Sequence, residues 1–140
     1  MLRVFPRRTK KEYAQFMQQL QQHYPDAQRI RLVQDNLNTH NPGSFYETFS
    51  AEKAHHLMQR FELHYTPKKA SWLNMAELEL AALTKQCLDR RIGNLTTLAH
   101  EVRSYEKERN RHRIGISWRF TTNQARTTMA RHYNNVKLSS

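Results

Sequence analysis

The segment RIRLVQDNLNTH, residues 29–40, ends a short apolar run in an acid and an amide, Asp35 and Asn36. Alternating side chains over Ile30–Gln34 are typical of a strand, so Asp35 would stand at the strand's carboxyl end. A carboxylate there suits a hard cation such as Mg²⁺, which prefers oxygen ligands. The same residue types also favour a turn, because Asp and Asn bond their own backbone. The residues alone leave both alternatives open.

A second acid, Glu77, stands in NMAE, residues 74–77. In the structural interpretation this is a capping box: Asn74 caps a helix and Glu77 bonds back to the backbone. In the functional interpretation, the first helical turn faces the strand end and both carboxylates bind one cation. The second arrangement requires the helix to pack across the end of the sheet.

The elements that must position these acids alternate along the chain. The periodicity predicts a helix over 10–22, strands over 30–34 and 61–65, and a loop containing Pro42 and Gly43. Ser50 is an expected N-cap, and MLRVF at the start resembles the end of a strand. The order indicates an α/β fold. The expected apolar helix stripes are Tyr13, Phe16, Met17 and Leu20; Ala54, Leu57, Met58 and Phe61; Ala76, Leu80, Leu83 and Cys87 on a helix over about 75–88; Leu95, Leu98, Val102 and Tyr105; and Ala125, Met129, Tyr133 and Val136.

Charge divides the chain into two basic ends and an acidic middle. Basic residues outnumber acidic ones seven to two in 1–34 and twelve to four in 85–140, whereas acids lead six to four in 35–84. Basic flanks suit a polyanion such as DNA, but they also suit a solvated surface. The single cysteine and the absence of a signal-like segment or long apolar run predict a cytoplasmic protein without a membrane partner.

Four segments together resemble bacterial insertion-sequence transposases of the mariner-type DDE superfamily. They are VQDNLNTH, HYTPKKASWLNMAELE, QCLDRRI and WRFTT, and the resemblance extends from about Arg7 to Tyr133. It implies a ribonuclease H-like α/β fold, incomplete at the N-terminus, in a single partial domain. A catalytic core portion would span about 1–92, and a basic helical extension about 93–140. It also implies two Mg²⁺ or Mn²⁺ ions held by three carboxylates for DNA cleavage and strand transfer.

The resemblance assigns Asp35 as the second acid and Glu77 as the third, both binding metal without a covalent intermediate. Asn36, His40 and Asn74 would support them. The predicted DNA-binding residues are Lys68, Lys69, Trp72, Arg109, Arg111 and Arg113.

The sequence departs from the family at the first catalytic aspartate, because residues 1–9 contain no acid and Asp26 lies in a predicted turn. A helix-turn-helix region for reading transposon ends is also missing from the pattern. We therefore expect a C-terminal transposase portion, from a decayed gene or from a split gene completed by frameshifting. Its expected partners are transposon-end DNA, an upstream half and a second copy. The alternative is a noncatalytic binder of DNA or transposase that regulates transposition.

Overall fold

The computed structural model describes residues 1–66, 76–115, 117, 119 and 121–137. It contains two compact units, Met1–Arg109 and Asn110–Ser140. The elements in chain order are α1 (Lys10–His23), β1 (Ile30–Gln34), α2 (Gly43–Thr48), α3 (Ala51–Gln59), β2 (Phe61–Tyr65), α4 (Ala76–Leu83) with a π-helical turn (Thr84–Leu88), α5 (Leu95–Arg111) and α6 (Thr122–Lys137). Both predicted strands are confirmed, as are the helices predicted from periodicity.

Local signals in the sequence determine where the first helices begin. The Thr9 backbone N–H donates to Glu12 Oε2 at 3.1 Å, which is one half of a capping box at the start of α1. Ser50 caps α3 as predicted, since its hydroxyl oxygen accepts the Lys53 N–H. Pro25 follows the end of α1, where a proline ring is incompatible with a continuing helix.

Strands β1 and β2 pair in parallel, in a register that runs from Ile30 opposite Phe61 to Gln34 opposite Tyr65. A parallel pair needs a crossover connection, and helices α2 and α3 supply it. The two carboxyl ends therefore lie at one edge of the sheet. There the Thr66 N–H extends the pairing by donating to the Gln34 carbonyl at 2.8 Å.

One hydrophobic cluster joins α1, α2 and α3 to the sheet. Phe45 and Met17 are its largest fully buried side chains. The buried members are Ala14, Met17, Phe45, Ala54, Leu57 and Phe61, with Tyr13, Leu20, Ile30, Leu32, Phe49, Met58 and Leu63 packed around them.

A second cluster joins α4, the π-helical turn and α5 through Leu83, Cys87 and Val102. Leu2 and Val4 pack against it, and the Leu2 N–H donates to Glu106 Oε2 at 3.2 Å. The expectation that MLRVF ends a strand is therefore wrong. In the described part of the chain, Leu2 and Val4 pack against helices, and the sheet consists of β1 and β2 alone.

Three further predictions are corrected by the structure. The segment after Pro42 is helical, because Pro42 already has helical torsions (φ −58°, ψ −29°) and α2 starts at Gly43. Phe61 opens β2 instead of completing the stripe of α3. The α4 stripe is only half buried: Leu83 and Cys87 are inside, whereas Leu80 is 51% exposed.

The second unit contains α6, whose first turn is capped from both sides. The Thr121 N–H donates to Gln124 Oε1 at 2.8 Å, and the Gln124 N–H donates to Thr121 Oγ1 at 3.2 Å. Across the described ranges, every helix is too short or too polar to span a membrane. Trp118 and Phe120, in the WRFTT segment that contributes to the resemblance, lie outside the described residues.

Candidate functional site

Asp35 follows β1 directly, at the edge where the carboxyl ends of both strands meet. Its Oδ1 lies 2.6 Å from His40 Nδ1, and 37% of its side chain is exposed against 23% for His40. The imidazole therefore fixes one carboxylate oxygen while the group stays open to solvent. This pairing brings together two residues that the sequence analysis placed at one site.

The Asp35–His40 pair is held by a small polar network. Gln34 Nε2 donates to the His40 carbonyl at 3.1 Å, and the Tyr13 hydroxyl donates to Gln34 Oε1 at 2.9 Å. The Tyr13 ring also stacks on the His40 ring, with centroids 4.9 Å apart and an interplanar angle of 25°. Helix α1 thus fixes the loop that carries His40.

Sequence reasoning missed Tyr13 and Gln34 as parts of this site. The sequence pattern placed Tyr13 only in the apolar stripe of a helix, and it placed Gln34 only at the end of a strand. The available signal was a buried strand end carrying an amide, since buried polar groups need partners. Gln34 is 6% exposed, and its side-chain oxygen and nitrogen each have a partner, the Tyr13 hydroxyl and the His40 carbonyl, respectively.

Burial raises the pKa of the Tyr13 hydroxyl to about 12, against the opposing effect of its bond to Gln34; the nearby Tyr65 raises it slightly further. A tyrosine in the unfolded chain ionises near its ordinary pKa of about 10. The folded state therefore binds the proton more tightly than the unfolded state does. Stability from this group is complete below about pH 10 and falls as the pH rises toward 12.

We expect Tyr13→Phe to flatten the pH dependence of the free energy of unfolding between pH 10 and 12. The phenylalanine ring can keep the stacking on His40 but has no proton to lose. The measurement is urea unfolding from pH 8 to 12 with Tyr24→Phe as the control, because Tyr24 is 50% exposed. If the free energy of unfolding falls equally steeply between pH 10 and 12 in Tyr13→Phe and in the parent, the raised pKa of Tyr13 would be contradicted.

Glu77 lies in the first turn of α4 and is exposed. Among the described residues, Asp35 bonds to His40 and has no hydrogen bond or ion pair with Glu77. The connection between β2 and α4 (67–75) is outside the described residues. Four predicted site residues belong to that connection: Lys68, Lys69, Trp72 and Asn74.

Glu79, two residues after Glu77, forms a specific ion pair. Arg109 Nη2 lies 2.7 Å from Glu79 Oε1, and the Arg109 side chain is only 15% exposed. The guanidinium also lies over the Tyr105 ring, 5.6 Å from its centroid. Arg109 therefore joins α4 to α5, and the contact to DNA predicted for it stays a prediction.

Arg111 and Arg113, the remaining described residues that were predicted to contact DNA, lie in the second unit. Arg113 has a left-handed backbone (φ 50°), and its N–H donates to the Asn110 carbonyl at 3.1 Å. Arg111 Nη2 lies 3.3 Å from His112 Nε2. Asn36, predicted to support the metal site, is exposed beside Asp35.

The donor chemistry at Asp35 fits a hard divalent cation. A carboxylate at a strand end, partly open to solvent and oriented by an outer hydrogen bond, is what such a ligand needs. Within the described ranges, no group of three or more His, Cys, Asp or Glu residues could hold a metal ion. The described residues therefore do not by themselves complete a metal site around Asp35.

Comparison with known proteins gives one finding. A family model described as DDE superfamily endonuclease matches residues 2–99, more than half of the chain. The matched range contains Asp35 and Glu77 and all buried members of both hydrophobic clusters except Val102. No curated protein and no solved structure matches.

Proposed function

Because the chain belongs to the DDE superfamily of endonucleases, we propose that it provides part of the metal-dependent site of a transposase that cuts and joins DNA strands. The resemblance quoted above supports a bacterial insertion-sequence enzyme of the mariner type. The family implies a ribonuclease H-like fold, and the parallel strands with helical crossovers are consistent with it.

The observation that carries this proposal is the position of Asp35. Its carboxylate lies at the shared carboxyl end of two parallel strands, where ligands bind in α/β sheets. The bond to His40 at 2.6 Å holds it there. A turn would explain an aspartate at this position, but it would not explain a carboxylate oriented by a histidine that is itself stacked and bonded.

Each residue has a proposed role. Asp35 and Glu77 would bind the metal; His40 orients the Asp35 carboxylate, while Asn36 and Asn74 support the two acids. Divalent ions, when bound, supply the activation of the nucleophile and the stabilisation of the leaving oxygen at the DNA phosphate. The sequence has no acid matching the family's first aspartate, so we propose that another segment supplies that ligand.

The DNA backbone would contact cationic residues that precede α4 and others near the end of α5. Lys68, Lys69 and Trp72 precede α4. The two lysines would bind backbone phosphates, and the Trp72 ring would stack on a base. Arg111 and Arg113 add charge in the second unit. Arg109 would also contact the DNA backbone, while its guanidinium stays paired with Glu79.

The test is Mn²⁺-dependent nicking of a supercoiled plasmid by the full chain. Because another segment is proposed to supply the first ligand, we expect any nicking by this chain alone to be slow, to stop with EDTA and to be lost in Asp35→Asn and in Glu77→Gln. The matched control is Asp26→Asn, because Asp26 lies in the turn between α1 and β1. Nicking that survives both acid substitutions would contradict the proposal. No nicking by the parent would reject catalysis by this chain alone and favour the regulatory binder.

A further inference from the structure

A pocket of about 200 Å³ opens beside the Asp35–His40 pair, between the start of the chain, α1 and the loop after β1. Its wall combines cationic, aromatic and polar side chains: Arg3, Phe5, Arg7, Arg8, Thr9, Glu12, Tyr13, Phe16, Thr39 and His40. Three arginines against one glutamate make the pocket strongly basic. A pocket with this excess of positive charge attracts anions.

Two of the arginines have guanidinium groups available for a ligand. Arg3 donates to Gln19 Oε1 at 3.1 Å and to the Leu2 carbonyl at 2.8 Å. Arg7 and Arg8 are exposed, and neither forms a hydrogen bond or ion pair with any described residue.

The one acid of the wall is already engaged. Glu12 Oε2 accepts the Thr9 backbone N–H and the Thr9 hydroxyl, and the latter bond is the main reason that the pKa of Glu12 lies below its usual value. Glu12 therefore closes the helix cap and forms no ion pair with Arg7 or Arg8.

The pocket shares a wall with the proposed metal ligand. His40 lines it, and the Nδ1 atom of His40 is 2.6 Å from Asp35 Oδ1. Tyr13 lines it too, and its stacking on His40 makes this wall rigid. An anion bound by Arg7 and Arg8 would thus lie one side chain away from Asp35.

We propose that this pocket binds one backbone phosphate of the DNA strand, next to the phosphate that is cut. The inference rests on the proposed function, since DNA is the polyanion that the family acts on. Arginine suits the role because its planar guanidinium binds a phosphate through two parallel hydrogen bonds. A volume of about 200 Å³ is smaller than a typical ligand pocket of roughly 300–1,000 Å³, so it suits a phosphate with its sugar.

The experiment measures binding of a fluorescein-labelled single-stranded oligonucleotide by polarisation, in EDTA, over a range of NaCl concentrations. The variants are Arg7→Gln/Arg8→Gln and the charge-preserving Arg7→Lys/Arg8→Lys. The control is Arg29→Gln/Arg91→Gln, which removes the same charge from two exposed arginines outside the pocket. We expect the first variant to lose about tenfold or more in affinity, the lysine variant to lose less, and the control to change least.

The salt dependence gives a second readout. Each neutralised phosphate on a single strand contributes roughly 0.7 to the slope of log affinity against log salt, so a lost contact lowers that slope. Equal losses in Arg7→Gln/Arg8→Gln and in the control would overturn the pocket, as would a parent chain that does not bind DNA. Since EDTA removes metal chemistry, a pocket that binds while nicking fails would reject only the proposed catalysis. Nicking that is unaffected in Arg7→Gln/Arg8→Gln would reject only the pocket.

Discussion

Asp35→Asn is expected to weaken Mn²⁺ binding to the chain by at least about tenfold, because it removes the carboxylate at the end of β1 that we propose as a metal ligand. Even residues that only orient a metal ligand typically cost 10 to 100-fold in affinity or activity when changed, so the loss of a ligand should cost at least as much. Asparagine keeps the size of the side chain and an oxygen near His40. The substitution therefore tests charge at this position more than packing.

Isothermal titration calorimetry with Mn²⁺ measures the effect, and urea unfolding shows whether the variant keeps its stability. Asp26→Asn serves as the matched control because it removes the same charge from the turn before β1. A Mn²⁺ affinity equal to that of the parent would show that Asp35 ends its strand for structural reasons alone. An equal loss in both variants would show that only net charge matters.

Phe45→Ala is expected to lower the free energy of unfolding by about 3–5 kcal/mol, the usual cost of removing a buried phenylalanine ring. Phe45 is fully buried at the centre of the first cluster. Its ring lies parallel to the Tyr13 ring, with centroids 5.9 Å apart and an interplanar angle of 3°. Removing it leaves a cavity under the residue that stacks on His40.

Urea unfolding followed by circular dichroism provides the measurement. Tyr46→Ala is the control, because Tyr46 is the next residue of α2 and is 46% exposed. If Phe45→Ala does not fold, Phe45→Leu keeps the prediction testable, with an expected loss between those of the control and of alanine. A loss in Phe45→Ala no larger than in Tyr46→Ala would contradict the placement of this ring.

The strand ends and the acid beside them were accessible from the sequence because their signals are local. Alternation over five residues predicts β1, and the residues that follow it are those of a turn or a ligand. The parallel pairing of β1 with β2, in contrast, depends on a crossover through α2 and α3. The start of α2 after Pro42 was missed because Pro and Gly together favour a loop.

The network around the site was beyond sequence reasoning because its members are distant in the chain. Tyr13 and Gln34 are 21 positions apart, and the separate Arg109–Glu79 pair spans 30 positions. Periodicity assigns Tyr13 to an apolar face and cannot indicate which amide its hydroxyl will reach. The same limitation applies to Leu2 and Val4, whose partners lie far along the chain.

The first hydrophobic cluster also has a consequence for synthesis on the ribosome. All of its members lie between Tyr13 and Leu63, so every contact that it needs is available once Leu63 has been translated. At roughly 5–20 residues per second, the stretch from Leu63 to the end of α5 at Arg111 takes about 2–10 s to add. A cluster that contains its own crossover can thus close around Phe45 while α4 and α5 are still being made, and the Asp35–His40 pair is formed from residues that are already present.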